Sequence, residues 1–499
     1  MRTNGILLPI FSLSSPYGIG TLGKEAFDFI DFLKEAGCSY WQILPVGPTG
    51  FGDSPYQSPS AFAGNPYFID LRILCREGWL QEQALQSIDF GKDPHKVDYE
   101  KLYLNRFEVL RVGADRFLEN AQENTLSDFE NFCEENSFWL DSYALFSALH
   151  DRYHCAFYDW PKEYRTREKE ALKRAEAELS SDIAFYKILQ YWFFSQWQTL
   201  HDYAKKAGVG FIGDMPIYVA PDSADVWAHP EIFLLDENGR PSSVAGCPPD
   251  AFSADGQLWG NPLYDWSALK ETDYAWWCER LKFAGKLYDV VRIDHFRAFD
   301  AYFSIPTGEK TAKNGVWKQG PGEEFFQSVH QKIGKLHIIA EDLGQITDSV
   351  RALLKSVGYP GMAVLEFAFD PNGDSRYLPH NIEKNSVVYT GTHDNDTIEG
   401  YLKNAPKSER RFCIDYLRLS ANEGYNWGMM RAAMATAADT CILQMQDFMG
   451  LSEGARINTP GTSEGNWQWR MEGSCINSWL AGIIRQNTAL YRRLGNQKA

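Results

Sequence analysis

The stretch YDVVRID, from Tyr288 to Asp294, combines the pattern of a buried strand with two charged residues. Valine and isoleucine at three of its four central positions are typical of a strand buried on both faces of a parallel sheet. Arg292 and Asp294 are two residues apart, so both side chains lie on one face of that strand. Because an unpaired charge in an apolar core is costly, the pattern indicates a strand that contributes to a site as well as to a core.

Seven other segments of the chain have a similar strand-like character. The eight candidate strands are GILLPI from Gly5, YWQILPV from Tyr40, GVGFIGDMPIYV from Gly208, YDVVRID from Tyr288, LHIIAED from Leu336, MAVLEF from Met362, SVVYTGTHD from Ser386 and ARINTP from Ala455. Helical patterns separate them, which indicates right-handed βαβ units and a parallel sheet. Eight such units predict an α/β fold, a closed (β/α)8 TIM barrel.

Helical patterns also define the predicted domain organisation. GKEAFDFIDFLKEAG, after the first strand, has one apolar stripe and a capping glycine, Gly37. The interval from about residue 71 to 195 is dominated by helical patterns, so we expect barrel (1–70), a mainly helical inserted subdomain (71–195) and the remaining barrel (196–499). Loop insertions are expected at about 220–265 and 301–325. The residues after the eighth candidate strand leave room for a closing helix or two, not for a C-terminal β-sandwich.

Composition limits the classes of partner. The chain has 499 residues, with 49 basic against 66 acidic residues and a net charge of −17, which argues against a nucleic-acid or anionic-membrane surface. Nine scattered cysteines indicate neither a disulfide framework nor a zinc-cysteine site, and they favour a reducing cytoplasm. The sequence contains no pattern typical of a signal, transit or membrane segment. A cytoplasmic protein, with a monomer favoured, is the expectation.

Polar residues collect at the carboxyl ends of the candidate strands, where TIM-barrel active sites lie. These residues are Asp214, Arg292, Asp294, Glu341, Asp342, His393, Asp394 and Asp396. Arg292 is expected to hold Asp294 ionised, as a nucleophile requires. Desolvation and nearby carboxylates are expected to raise the pKa of Glu341 and keep it protonated, as a general acid requires. Two carboxyl groups with these different states are typical of glycosidic bond chemistry.

Aromatic residues in two polar loops favour a sugar ligand. The loops are GFGDSPYQSPSAFAGNPYF, after the second strand, and VAGCPPDAFSADGQLWGNPLYDW, after the third. Sugars present apolar C–H faces and hydroxyl edges, so Tyr56 and Trp259 can stack while Asp, Asn and Gln side chains bind hydroxyls. Packing of the loops themselves is an equally ordinary use for such rings.

These motifs resemble those of one family. GDSPYQSPSAFAGNPYFIDL, GDMPIYVA, VAGCPPDAFSADGQLWGNPLYDW, VRIDHFRAF, IIAEDLG, YTGTHDNDT and NTPGT are similar to the motifs of the amylomaltases, the 4-α-glucanotransferases also called disproportionating enzymes. They occur in the family's order and cover essentially the whole chain. The resemblance implies an α-amylase-superfamily barrel with inserted subdomains and no C-terminal β-sandwich.

The resemblance also implies roles for individual residues. Asp294 matches the nucleophile, Glu341 the acid/base and Asp394 the carboxylate that stabilises the transition state. The implied substrate-binding residues are Tyr56, Asp214, Asp250, Trp259, Asn261, Arg292 and His393. The implied substrates are α-1,4-glucans and maltooligosaccharides, with glucose as an acceptor, and no metal or other cofactor is implied. At Phe51 some relatives carry a tyrosine tied to a second, remote glucan site, so the resemblance does not extend to that site.

Three alternatives remain open from the residues alone. An α-glucan hydrolase would use the same carboxylates. A metal-dependent barrel lyase or isomerase could use the HDND run at His393, although a ligating carboxylate seldom has an arginine as its near neighbour. A catalytically silent glucan-binding scaffold fits the aromatic loops but not the intact acidic residues. A zinc site at His150, His154 and Cys155 is disfavoured because the sequence shows no further ligand.

Overall fold

The structure, a computed structural model, describes residues 2–249 and 253–495. The strands in these ranges are β1 (Thr3–Leu7), β2 (Tyr40–Gln42), β3 (Gly210–Met215), β4 (Ser243–Cys247), β5 (Gln257–Pro262), β6 (Val290–Ile293), β7 (Ala301–Pro306), β8 (Val316–Gln319), β9 (Ile338–Ala340), β10 (Gly361–Val364), β11 (Ser386–Tyr389) and β12 (Thr440–Gln444).

Helices occupy most of the intervals between these strands. They are α1 (Lys24–Glu35), α2 (Leu71–Arg76), α3 (Glu82–Leu85), α4 (Tyr99–Asn120), α5 (Glu123–Glu135), α6 (Ser137–Tyr153), α7 (Lys162–Arg165), α8 (Lys169–Glu178), α9 (Ser180–Ala207), α10 (Ala224–Ala228), α11 (Trp266–Glu271), α12 (Ala275–Leu287), α13 (Gly322–Ile333), α14 (Asp348–Val357), α15 (Ile398–Asn404), α16 (Lys407–Leu417), α17 (Tyr425–Ala435), α18 (Met445–Phe448) and α19 (Ser478–Leu490).

Eight parallel strands form the barrel. Their order is β10-β11-β12-β1-β2-β3-β6-β9, and the amide of Ala340, at the end of β9, donates to the carbonyl of Pro360 at 2.9 Å, just before β10. This bond links the two ends of the sheet. The predicted (β/α)8 barrel is therefore confirmed, and the carboxyl ends of all eight strands meet at one rim.

The predicted eighth strand is wrong. ARINTP, from Ala455, is irregular chain after a short 3-10 turn, and the eighth barrel strand is β12, TCILQ. β12 pairs with β1 over five residues and also with β11. Its apolar run is three residues long and follows the Ala- and Met-rich helix α17, so the sequence gives no separate strand signal there.

A second sheet lies outside the barrel. The antiparallel order β5-β4-β7-β8 joins the two predicted loop insertions, which the sequence analysis treated as irregular. Glycines in β4 and β5 weaken the alternating pattern that would have indicated strands. The sheet places Trp259, on β5, beside the barrel rim.

The helices between β2 and β3 brace the long loop that follows β2. In α9, Gln190 bonds both the amide and the carbonyl of Gly64, at 2.7 and 3.0 Å. One turn and a half further along the same helix, Gln196 accepts from the amide of Asp70 at 2.7 Å. Both glutamines are buried. The loop that carries Tyr56 is thus fixed at its far end by side chains from the helical region.

Candidate active site

The two charged residues of the predicted strand Tyr288–Asp294 are explained by their neighbours across the sheet. Residue 214 of β3 pairs in register with residue 292 of β6, so Asp214 and Arg292 are neighbours across the sheet. One guanidinium nitrogen of Arg292 contacts both oxygens of Asp214 at 2.7 Å and Oδ1 of Asp294 at 3.0 Å. The side chains of Arg292 and Asp214 are 3% and 0% exposed. The strand carries a buried cation because two carboxylates surround it.

The protonation state expected for Asp294 is not the one the structure favours. The surrounding protein removes water from this carboxyl, and Asp214, Glu341 and Asp394 repel its charge, which together raise its pKa to about 8 despite Arg292. Burial is the largest cause, and it outweighs the lowering by Arg292, which makes its two shorter contacts with Asp214. Because Asp214 shares the positive charge of Arg292, that charge stabilises the ionised form of Asp294 less than it would alone.

Glu341 lies at the end of β9, beside β6. Its Oε2 accepts the amide of His295 at 2.7 Å and its Oε1 accepts the amide of Leu343 at 2.8 Å. His295 has the left-handed backbone angles φ 50° and ψ 48°, and this turn directs its N–H at the carboxyl group. Burial raises the pKa of Glu341, as predicted, against the opposing effects of Arg292 and the two amides.

Asp294 and Glu341 therefore act as one titrating pair. The charge of Glu341 raises the proton affinity of Asp294, and both carboxyl groups face the same arginine. Such a pair loses its protons in two steps that belong to both groups, and holds one proton between them over an intermediate pH range. Of the two arrangements of that single proton, the one that can react has it on Glu341, which leaves Asp294 ionised as the nucleophile.

A hydrogen-bonded chain runs across the cleft from Asp214. The Tyr56 hydroxyl donates to Asp214 Oδ2 at 2.7 Å and lies 2.8 Å from Nε2 of His393. The two rings are stacked, with centroids 5.4 Å apart. Burial lowers the pKa of His393, so its imidazole is neutral. Because the single hydroxyl hydrogen of Tyr56 goes to Asp214, the Nε2–H of His393 donates to the tyrosine oxygen. The structure thus brings Tyr56 and His393 to the carboxylates from different loops.

Asp394 is the most open of the three predicted catalytic carboxylates, with 43% of its side chain exposed. Its Oδ1 accepts from Asn458 at 2.6 Å, and Nε2 of His393 lies 3.4 Å from its Oδ2. Arg456 donates to its backbone carbonyl, also at 2.6 Å. Asn458 and Arg456 belong to the segment mistaken for a strand, and only the motif NTPGT could have indicated that it reaches the site.

Trp259 and Asn261 lie on β5 beside the rim. The Trp259 ring meets His295 edge to face, with centroids 4.8 Å apart. Asn261 is buried and uses both ends of its amide within the protein, accepting from Gln57 at 3.2 Å and donating to Val219 at 2.8 Å. These contacts favour a positioning role for Asn261. Asp250 lies outside the described residues, as does the side chain of Phe51.

A further buried carboxyl group lies behind this site, at a position where the sequence pattern indicates only a strand. Glu366 follows β10 and is 7% exposed, and its Oε1 has no hydrogen-bond partner within the described ranges. Burial and the nearby Asp447 and Asp396 raise its pKa well above the usual value. The pKa of Asp447 is raised to about 7, mainly by burial. The pattern MAVLEF predicts a strand that includes Glu366, so the sequence does not indicate a buried acidic group there.

The residues considered for a zinc site, His150 and His154, have separate surroundings. Nε2 of His150 lies 3.1 Å from a carboxylate oxygen of Asp222, while His154 has left-handed backbone angles at the end of α6. Within residues 2–249 and 253–495, no group of three His, Cys, Asp or Glu side chains is arranged to hold a metal ion. No helix in the same ranges is long and apolar enough to span a bilayer.

Comparisons with known proteins identify the family of this chain. Residues 8–476 match the model of the 4-alpha-glucanotransferase family. The chain is 47% identical to a 4-alpha-glucanotransferase of Clostridium butyricum, over 97% of this chain and 99% of the relative, and 46% identical to that of Thermus thermophilus, over 94% and 95%. An amylomaltase from Streptococcus agalactiae in complex with acarbose superposes with a TM-score of 0.96 at 41% identity, covering 99% of this chain and all of the other. The chain belongs to the 4-alpha-glucanotransferase family.

Proposed function

We propose that this protein moves α-1,4-glucan segments from a donor glucan to the 4-hydroxyl of glucose or another glucan by a retaining double displacement. The observation that carries the proposal is the coupled pair Asp294 and Glu341 at the ends of adjacent strands, with one arginine facing both. The family supports the reaction class, and the pair supports the mechanism.

In the first displacement, Glu341 donates its proton to the glycosidic oxygen while a carboxylate oxygen of Asp294 attacks the anomeric carbon. The bond from that carbon to the glycosidic oxygen breaks, a glycosyl ester forms, and the shortened glucan leaves with the proton. Asp394 supports the positive charge that develops on the sugar ring, since its carboxylate is exposed to the cleft.

In the second displacement, the ionised Glu341 removes the proton from the acceptor's 4-hydroxyl. The acceptor oxygen attacks the anomeric carbon, and the carboxylate of Asp294 leaves. The pair returns to its single-proton state. The amides of His295 and Leu343 stabilise Glu341 while it carries a negative charge, in the interval between the two steps.

Transfer exceeds hydrolysis when the acceptor is oriented better than water. Trp259 is the residue that we propose stacks on the acceptor, since it lies against His295, next to the nucleophile. Its strand is tied to the loop of Tyr56 through Gln57, which donates to the carbonyl of Trp259 at 3.2 Å. The loop of Tyr56 and the strand of Trp259, on which we propose that the acceptor stacks, are therefore connected.

We further propose the division of the chain made above, with residues 71–195 as a helical subdomain that supports the loop of Tyr56, and a cytoplasmic location. The two bonds from Gln190, within this range, to Gly64 support the first proposal. The acidic balance and the scattered positions of the nine cysteines, with no paired spacing, support the second.

Incubation with maltotriose alone, in the presence of a chelator, tests the function. Glucose together with maltopentaose and longer chains is the expected result. Glucose and maltose with no longer product would establish a hydrolase instead. Loss of all products with chelator, and their return with added metal, would contradict the proposed mechanism.

A further inference from the structure

A polar cavity lies next to the active site, and none of the three catalytic carboxylates lines it. Its volume is about 300 Å³, and it is walled by three parts of the chain: residue 96 before α4, the region of α15, and residues 453–469. The side chains that define it are Lys96, Asp396, Glu453, Arg456, Gln468 and Trp469. At about 30 Å³ for each water molecule, the space equals roughly ten waters, which is room for one pyranose ring.

The lining favours a neutral ligand with many hydroxyl groups. Lys96 and Arg456 are balanced by Asp396 and Glu453, so the cavity has no excess of either charge. An anion would meet two carboxylates, and a cation would meet two basic groups. Amide and charged groups offer donors and acceptors on several sides, and Trp469 supplies an apolar surface, the combination that sugars require.

Arg456 connects this cavity to the catalytic centre. Its guanidinium lines the cavity and also donates to the carbonyl of Asp394 at 2.6 Å. Its Nε donates to the carbonyl of Asn458 at 2.7 Å, and Asn458 in turn bonds the Asp394 carboxylate at 2.6 Å. A ligand that contacts Arg456 therefore acts on the two bonds that orient Asp394.

We propose that the cavity binds one molecule of glucose, and that Arg456 transmits its presence to Asp394. The proposal rests on the proposed function in one respect, that glucose is released as a product. Glucose that accumulates would then restrain Arg456 and stabilise the position of Asp394. Binding itself needs only the cavity.

Gly454 offers a way to fill the cavity without strain. It lines the cavity, its φ is not positive, and a Cβ atom added there would meet no described heavy atom within 4 Å. Gly482, in α19, has the same two properties at a distant site and gives the matched control. We therefore compare Gly454→Phe with Gly482→Phe. Lys96→Ala, which removes one polar group without filling the space, is a second variant in case Gly454→Phe is unstable.

Fluorine NMR of protein labelled with 5-fluorotryptophan gives two reporters. Trp469 reports on the cavity and Trp259 on the active site, with each resonance assigned by its Trp→Phe substitution. On titration with glucose, both resonances are expected to shift in the unsubstituted protein and in Gly482→Phe. In Gly454→Phe the Trp469 response is lost while the Trp259 response remains. In Lys96→Ala the midpoint of the Trp469 response moves to about fivefold higher glucose.

Two results would overturn the proposal. The first is a Trp469 resonance that does not respond to glucose, or that responds equally in both phenylalanine variants. The second is a response of Trp469 to inorganic phosphate but not to glucose, which would make the cavity an anion site. Failure of the proposed function is separate, since it shows as the absence of longer products from maltotriose whatever Trp469 does.

Discussion

The catalytic carboxylates are held in place in two different ways. Asp294 and Glu341 are positioned by adjacent barrel strands, and their contacts come from residues within a few positions of those strands, namely Arg292, His295 and Leu343. Asp394 is positioned by Arg456 and Asn458, which are more than sixty residues further along the chain. Strand register determines the first arrangement, while loop packing determines the second. The first should tolerate little change, and the second should be adjustable.

The largest expected effect is the loss of the nucleophile. Asp294→Asn removes the attacking carboxylate, and we expect kcat/KM for maltotriose disproportionation to fall by roughly 10⁴-fold or more. Chromatographic product analysis measures this. Asp348→Asn, a fully exposed carboxyl in α14, is the control and should retain activity. Substantial turnover by Asp294→Asn would assign the nucleophile to another residue.

The next effect separates the two members of the pair. Glu341→Gln cannot protonate the leaving oxygen, so we expect a fall of about 10² to 10⁴-fold with maltotriose. The first step with α-maltosyl fluoride should be affected much less, because fluoride leaves without a proton. Release of fluoride measured against time gives this step directly. An equal loss with both donors would mean that Glu341 does not act as the acid.

The loop-held carboxylate should respond more mildly. Asn458→Ala removes the 2.6 Å bond to Asp394 but leaves all three carboxylates in place, and we expect kcat to fall by roughly 10 to 10²-fold through misplacement. Asn120→Ala is the control. It removes only a bond from Asn120, the last residue of α4, to a backbone carbonyl of the same helix, and it should not change kcat. An unchanged kcat in Asn458→Ala would show that Asp394 does not depend on the distant segment.

The smallest effect is on stability. The pKa of Asp294 is about 8 in the folded protein against an ordinary value near 4, so between these pH values the folded state holds a proton that the unfolded state has released. Folding stability from this group therefore falls as pH rises through that range. Asp294→Asn removes the penalty, so its Tm should exceed that of the unsubstituted protein at pH 8 and approach it near pH 4. Calorimetry across this range measures the difference, and a lower Tm at pH 8 would contradict the raised pKa.

The same contrast explains what the sequence could predict. Arg292, Asp294 and Glu341 follow from strand patterns alone, because the rim of a parallel barrel collects strand-end residues. The state of Asp294 did not follow, because burial of its carboxyl outweighs the effect of Arg292, whose charge is also shared with Asp214, and both depend on packing across strands. Asn458 was hidden because its segment resembles a strand, and β12 because its apolar run is short. Contacts between distant loops leave no periodic signal in a sequence.

The double displacement is tested most directly by trapping its intermediate. Glu341→Gln mixed with α-maltosyl fluoride should form the glycosyl ester and release it slowly, because the base that activates the acceptor is absent. Intact-protein mass spectrometry followed by peptide mapping should find one maltosyl unit on the peptide that contains Asp294. An unmodified protein that still releases fluoride and gives a product of inverted configuration would contradict the mechanism.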